Sequence, residues 1–390
     1  MTHTIHWLGA GLSSAPGIIE LAKKAIPEAR PIIVWNRSLA KAEQALKNDD
    51  VEIDVRQLDW DALTRTVKEG DVLVSMLPAI LHLTVAQFCL THKAHFVSSS
   101  YISPEMSALN SQAKDLNLCF VNEVGLDPGI DHLLAHLLVD SYQNSAQFSP
   151  DNQHYFRSYC GGFPKIANDF KYKFSWSPLG VLKALRSSAK WQDDGVIKTS
   201  NAPWEALSQY QAQLSDHSET FQAYPNRDSL PFIKQYNFQD NWDVQQFVRG
   251  TLRLNGWSTA WQPLFDEIAM LKGSDGEQRL LDISRELEQK YLYDENEADR
   301  VVMCVELEVR QAGKVIWHQS YHLDSKGNAQ GQAMARLVSL PVSLAIESVL
   351  NNQIPVGVSA APDEPEQINQ WLSALTASGE SIGHHNHITK

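Results

Sequence analysis

The stretch Asn122-Glu123-Val124-Gly125-Leu126-Asp127-Pro128-Gly129-Ile130-Asp131-His132 crowds carboxylates, an amide and an imidazole between two apolar patterns. Leu118 to Val124 reads as a buried strand, and from Pro128 onward Ile130, Leu133, Leu134, Leu137 and Leu138 recur at helical spacing. Asp127 then falls at the N-cap and Pro128 at the first helical position. Asp127 therefore either caps a helix or faces a ligand at a strand-to-helix junction, the place where parallel α/β sheets bind theirs. A carboxylate at a helix N-terminus is held ionised, which suits it to orienting a cationic centre more than to accepting a proton. Asp131 and His132 read as helix-start chemistry.

The elements that would position this stretch begin at the start of the chain. Thr4 to Leu8 is a short strand, Gly9-Ala10-Gly11-Leu12-Ser13-Ser14-Ala15-Pro16-Gly17 a turn, and Ile18, Ile19, Leu21 and Ala22 open a helix. Gly9 permits the tight turn and Gly11 admits a pyrophosphate to the backbone, while Leu12, Ser13 and Ser14 complete the phosphate turn, Ser14 replacing the usual third glycine. A second strand, Pro31 to Trp35, ends in Asn36-Arg37-Ser38. An acidic residue there would select NAD; Arg37 suits the 2'-phosphate of NADP, with NAD still possible, although a solvated arginine at a helix start explains it equally. The strand Asp71 to Met76 is closed by Leu77 and Pro78, which are expected along the dinucleotide. A helix to about Cys89, a strand Ala94 to Ser98 and a helix after Pro104 continue the alternation. The fold class is α/β, with a Rossmann-type doubly wound parallel sheet.

Composition narrows the partners. A formal net charge of -13 over 390 residues, with no basic run, argues against nucleic acid and against an anionic membrane surface. No apolar run approaches transmembrane length, and with the first strand starting almost at the N-terminus no signal peptide is expected. Cys89, Cys119, Cys160 and Cys304 lack metal-ligand spacing, so no metal is expected and a reducing cytoplasm fits. The tail after Ala374, with His384, His385 and His387, is expected to be a loose solvated end.

Further along, six motifs occur in order: Ser98-Ser99-Ser100-Tyr101-Ile102-Ser103-Pro104, Asn122 to His132, Ser158-Tyr159-Cys160-Gly161-Gly162-Phe163-Pro164, Tyr172-Lys173-Phe174-Ser175-Trp176-Ser177, Tyr224-Pro225-Asn226-Arg227-Asp228-Ser229, and Arg249-Gly250-Thr251-Leu252-Arg253. Together they resemble the glutamate-forming saccharopine dehydrogenases, or saccharopine reductases, across most of the chain. The resemblance implies a dinucleotide-binding domain over 1-127 and 331-390. It also implies an α+β domain over 128-330 whose mixed sheet binds saccharopine and pairs subunits into a homodimer. The segment Lys165 to Lys171 is shorter than the family's usual stretch and differs in sequence, and a helical insertion, about 263-299, is shorter than in fungal members.

Saccharopine is a secondary amine carrying three carboxylates, so it needs cationic anchors. The resemblance assigns Arg227 to a substrate carboxylate, an ion pair with Asp228 being the alternative. Thr251 lies in a substrate motif, and Arg249 and Arg253, four apart on a strand, share a face, one toward substrate and the other toward solvent. Ser99 and Ser100 fit a substrate carboxylate and the cofactor edge. Gly125, Leu126 and Ser175 are expected to flank the cofactor. Oxidation removes hydride from the carbon beside the bridging nitrogen, and water then releases glutamate and aminoadipate semialdehyde. Asp127 is the group expected at that centre, with Tyr101 as its hydrogen-bonding partner; Cys160 lies in the same site motif, or is an inert buried thiol. Two competing readings are a dehydrogenase of a carboxyspermidine-type amine and a non-catalytic NADP(H) sensor.

Overall fold

The computed structural model describes residues 3–25, 30–47 and 51–388. The chain forms two compact units. The first takes residues Met1–Leu133, Ala329–Gly331 and Ala335–Pro362, and the second Leu134–Asn328, Gln332–Met334 and Asp363–Lys390.

In the first unit six strands, Ile5–Leu8 (β1), Ile32–Asn36 (β2), Asp54–Gln57 (β3), Val72–Ser75 (β4), His95–Val97 (β5) and Cys119–Val121 (β6), are joined by a late arrival, Gly357–Ser359 (β15). They pair in parallel in the order β15-β6-β5-β4-β1-β2-β3. Every residue of β1 and β4 is buried, as a parallel sheet covered on both faces requires. Leu8, Trp35, Leu73, Phe96 and Phe120 centre one core. The strand order reverses between β1 and β4, so Gly9 and the Met76–Pro78 turn open at the switch point where such sheets take ligands. β3, Asp-Val-Arg-Gln, carries no apolar run, and its place at the sheet edge explains why no periodicity announces it.

One expectation is corrected at the junction after β6. The helix runs Ile130–Gln143, so Asp127 is not its N-cap and Asp131 occupies the first turn. Residues 125–129 instead form a tight turn, in which Gly125 N–H donates to Pro128 O (2.9 Å) and Ile130 N–H to Gly125 O (3.0 Å). A β-carbon on Gly129, whose φ is +147°, would fall 2.0 Å from Gly125 O, so backbone packs directly on backbone.

The second unit is built on a nine-stranded mixed sheet. Its strands are Gln153–Pro164 (β7), Ala189–Asp193 (β8), Val196–Ser200 (β9), Ser208–Gln213 (β10), Ser218–Pro225 (β11), Asp243–Arg253 (β12), Asp299–Gln311 (β13), Lys314–Lys326 (β14) and Ile382–Asn386 (β16). The main order is β10-β11-β12-β7-β13-β14-β16, parallel only between β12 and β7. The expected insertion is the helix pair Trp257–Met270 and Gly273–Tyr291, which starts before residue 263. Trp257, Trp261, Phe265 and Ile268 lie on the buried face of the first of these helices and pack with Tyr172 and Phe174. Pro263 is inside that helix rather than at its start.

The tail is not loose. Pro365–Ala377 is a helix, and β16 pairs with β14, which places Asp363 onward in the second unit instead of the dinucleotide-binding one. The histidines make the difference: His387 stacks on His318 at 4.1 Å and His385 on His322 at 4.5 Å. His385 Nε2 also donates to Leu214 O at 3.1 Å. A further correction concerns Ala333–Leu350, which by length and composition is long and apolar enough to cross a membrane. That window is 78% buried inside the protein, where an all-round apolar helix belongs.

Candidate active site

At the switch point the Gly9 turn is held from several sides. Gly9, at φ +98°, has no room for a β-carbon, which would meet Met76 O at 2.8 Å. Its N–H donates to Trp35 O, and the Ser14 hydroxyl turns back onto Gly9 O at 3.1 Å. Asn36 accepts Ala10 N–H (3.2 Å) and donates to Ser38 O (2.8 Å), tying the ends of β1 and β2 together. Space above Gly11 is open, and Leu12 beside it is 55% exposed. The open turn before the helix Ala15–Ala25 fits a pyrophosphate. Arg37 is exposed just after β2 and makes no side-chain hydrogen bond or ion pair among the described residues. Gly17, which the fingerprint leaves without a role, lets this helix touch the helix Ala333–Leu350: a β-carbon would lie 2.3 Å from Ser339 O.

Leu77 lies against Gly9, and Pro78 starts the turn leading to His82. His82 is a residue that sequence reasoning missed. Its Nδ1 and Nε2 lie 2.8 Å from the hydroxyls of Ser75 and Ser100, so it fixes the Ser100 side chain against the end of β4. Burial pulls its pKa down to about 4, and the ring is neutral near pH 7.

The Ser99–Tyr101 segment meets the 125–129 turn. Ser99 donates to Met76 Sδ (3.5 Å), and its Cβ is 3.0 Å from where a Gly125 β-carbon would stand. The Tyr101 hydroxyl donates to Asp127 Oδ1 at 3.2 Å. Ser99, Ser100, Tyr101, Gly125, Leu126 and Asp127 are thus one cluster in the first unit. Glu123, also missed, sits behind it: buried, with φ +56°, its carboxylate accepting Ile102 N–H. No spacing in the sequence marks Glu123, because its partners Ile102 and His132 come from a loop and a separate helix.

In the second unit β7, β12 and β11 place Cys160, Thr251 and Tyr224 side by side in register. Ser175 is buried in the loop after β7. Arg227, exposed at φ +56°, rides on a turn whose backbone is knitted to Lys190 and Arg249. Asp228 accepts Leu230 N–H (3.0 Å) and lies 4.0 Å from Lys190 Nζ. Arg249 and Arg253 are 3% and 6% exposed, so neither faces solvent as expected; aromatic rings take that place. Arg253 sits against Tyr172, Tyr224 and Trp257, 4.8–5.5 Å from their ring centres, and Arg249 lies 3.9 Å over Phe232. Arg253 Nε and Trp257 Nε1 are buried donors without an acceptor among the described residues. On the opposite face of the sheet Glu306, Glu308 and His318 bring ligand atoms within 4.8 Å of one another, but Arg157 Nη1 already lies 2.9 Å from Glu306 and 3.6 Å from Glu308.

Comparison with known proteins matches residues 5–121 to the family described as saccharopine dehydrogenase NADP binding domain, and residues 125–380 to saccharopine dehydrogenase C-terminal domain. The NADP(+), L-glutamate-forming saccharopine dehydrogenase of Pyricularia oryzae is 34% identical over 287 residues, 72% of this chain and 60% of that protein. The Saccharomyces cerevisiae counterpart is 34% identical over 276 residues, 69% and 59%. The matched region therefore spans about three fifths of these curated relatives. The apo structure of the L-Glu-forming enzyme from Saccharomyces cerevisiae superposes with a TM-score of 0.81 at 26% identity, covering 99% of this chain and 100% of that one. A Legionella pneumophila homospermidine synthase, at 10% identity and a TM-score of 0.63, shares the fold. With family matches in both units and identity on this scale, the chain belongs to the saccharopine dehydrogenase family.

Proposed function

We propose that this protein is an NADP-dependent saccharopine dehydrogenase. It oxidises the secondary amine to release L-glutamate and 2-aminoadipate 6-semialdehyde, or runs the reverse. The observation that carries this reading is the Tyr101–Asp127 hydrogen bond beside the glycine turn at the carboxyl end of the parallel sheet. Bound NADP+ would supply the hydride acceptor for the lysine-derived carbon next to nitrogen, with the Gly9–Ser14 turn holding its pyrophosphate and Arg37 its 2'-phosphate. Asp127 orients the amine, and its negative charge stabilises the positive charge that develops as the C–N bond gains double-bond character. Tyr101 fixes that carboxylate, and proton traffic runs through water. Arg227 and Thr251 take substrate carboxylate.

Mixing the protein with saccharopine and NADP should give reduced-nicotinamide absorbance and free glutamate. Lysine and 2-oxoglutarate as products, or no turnover, would overturn the reading. We also propose a homodimer in a reducing, cytoplasmic setting; the buried thiols Cys89, Cys119, Cys160 and Cys304, none of them disulfide-bonded, support the compartment. Sedimentation at micromolar concentration tests the dimer, a monomeric mass rejecting it.

A further inference from the structure

Glu123 holds both sides of Tyr101. Its N–H donates to Ser100 O (3.0 Å), and its Oε1 accepts Ile102 N–H (3.0 Å). Its Oε2 lies 3.1 Å from His132 Nε2, and the other ring nitrogen, Nδ1, lies 3.4 Å from Asp131 Oδ2. Asp131 Oδ1 accepts Gly129 N–H at 2.7 Å. Gly129 closes the turn carrying Asp127, and Asp127 accepts the Tyr101 hydroxyl. The circuit is closed, running from one member of the reactive pair to the other through two buried carboxylates and the imidazole between them.

Burying three ionisable groups is a poor route to stability, since apolar residues of similar volume hold a core as well or better. The outer bonds of this group end on the backbone N–H groups of Ile102, next to Tyr101, and Gly129, two residues after Asp127. We propose that Glu123, His132 and Asp131 are positioning residues that set the Tyr101–Asp127 geometry without touching substrate. The inference rests on the dehydrogenase reading of the same site.

Turnover and backbone exchange together test it. His132→Gln should lower kcat for saccharopine about 10- to 100-fold, the scale of a roughly 1 Å misplacement, with both KM values within about twofold. Asp131→Ala should behave alike, and Asp131→Asn, which keeps an acceptor for Gly129 N–H, should recover most of the rate. In hydrogen-exchange mass spectrometry, the variants His132→Gln and Asp131→Ala should speed exchange in residues 99–103 and 125–130, with 153–164 unchanged. An unchanged kcat, a loss confined to KM, or faster exchange only within the helix 130–143 would overturn the brace. If wild-type protein does not turn over saccharopine, the dehydrogenase reading falls, and the exchange experiment still decides whether the brace spans the two loops. Should His132→Gln fail to fold, the Asp131 pair carries the same decision.

Discussion

At the scale of single residues, the roles proposed for Asp127, Arg227 and Arg37 make separable demands. Asp127→Asn keeps the shape of the side chain and removes its charge, so the developing cation loses its partner. Its kcat should fall by about 10²- to 10³-fold, the scale for losing one preorganised electrostatic contact, and a loss below tenfold in steady-state kinetics would remove Asp127 from the chemistry. Arg227→Ala should raise the saccharopine KM about 10- to 100-fold, the equivalent of one charge-assisted hydrogen bond, with the NADP KM unchanged; equal changes in both would place Arg227 elsewhere. Arg37 has no protein partner to lose among the described residues. Arg37→Asp should therefore move the NADP-to-NAD ratio of kcat/KM toward NAD by about tenfold or more, without changing the melting temperature.

At the scale of elements, close approaches matter more than propensity. Gly17→Ala forces the helix Ala15–Ala25 away from the Ser339 carbonyl, and overpacking of this kind costs about 1–3 kcal/mol. Thermal unfolding should show a lower midpoint, and an unchanged midpoint would mean the two helices can part freely. Most of the alternation of strand and helix to β6 is legible in the sequence, because β1, β2, β4, β5 and β6 are apolar runs, whereas the polar edge strand β3 is not. The Asp127 neighbourhood is legible only in part: cap statistics put Asp127 at a helix start, whereas the Gly125–Gly129 backbone contact delays the helix to Ile130. Glu123 and His132 are nine residues apart on a strand end and a helix, a separation that no local period encodes. β16 reads as polar and solvated because its histidines are satisfied by stacking across strands rather than by an apolar face.

At the scale of the whole molecule, both units carry histidines that resist protonation. Burial lowers His82 in the first unit, and His154 and His322 in the second, to about 4. The unfolded chain binds protons at these positions near pH 6.5, where the folded protein does not, so stability falls as pH drops from about 6.5 to about 4 and levels off below. Glu306 extends the loss. Despite burial, His318, Arg157 and Tyr210 hold it down at about 2, so its contribution is present above its unfolded value of about 4.5 and lost as pH falls through about 2. Melting midpoints should decline steadily from pH 7 to pH 4.5, and a flat profile would contradict the burial of these rings. The division of the chain has a further consequence, for synthesis. The first unit's sheet lacks its edge strand β15, and Gly17 lacks its covering helix, until roughly two hundred residues after Leu133 have been made. At ribosomal speeds this is a delay of about 10 to 40 s. Throughout it the edge of β6 stands unpaired, so the nascent dinucleotide-binding unit is a natural client for chaperones that shield open sheet edges.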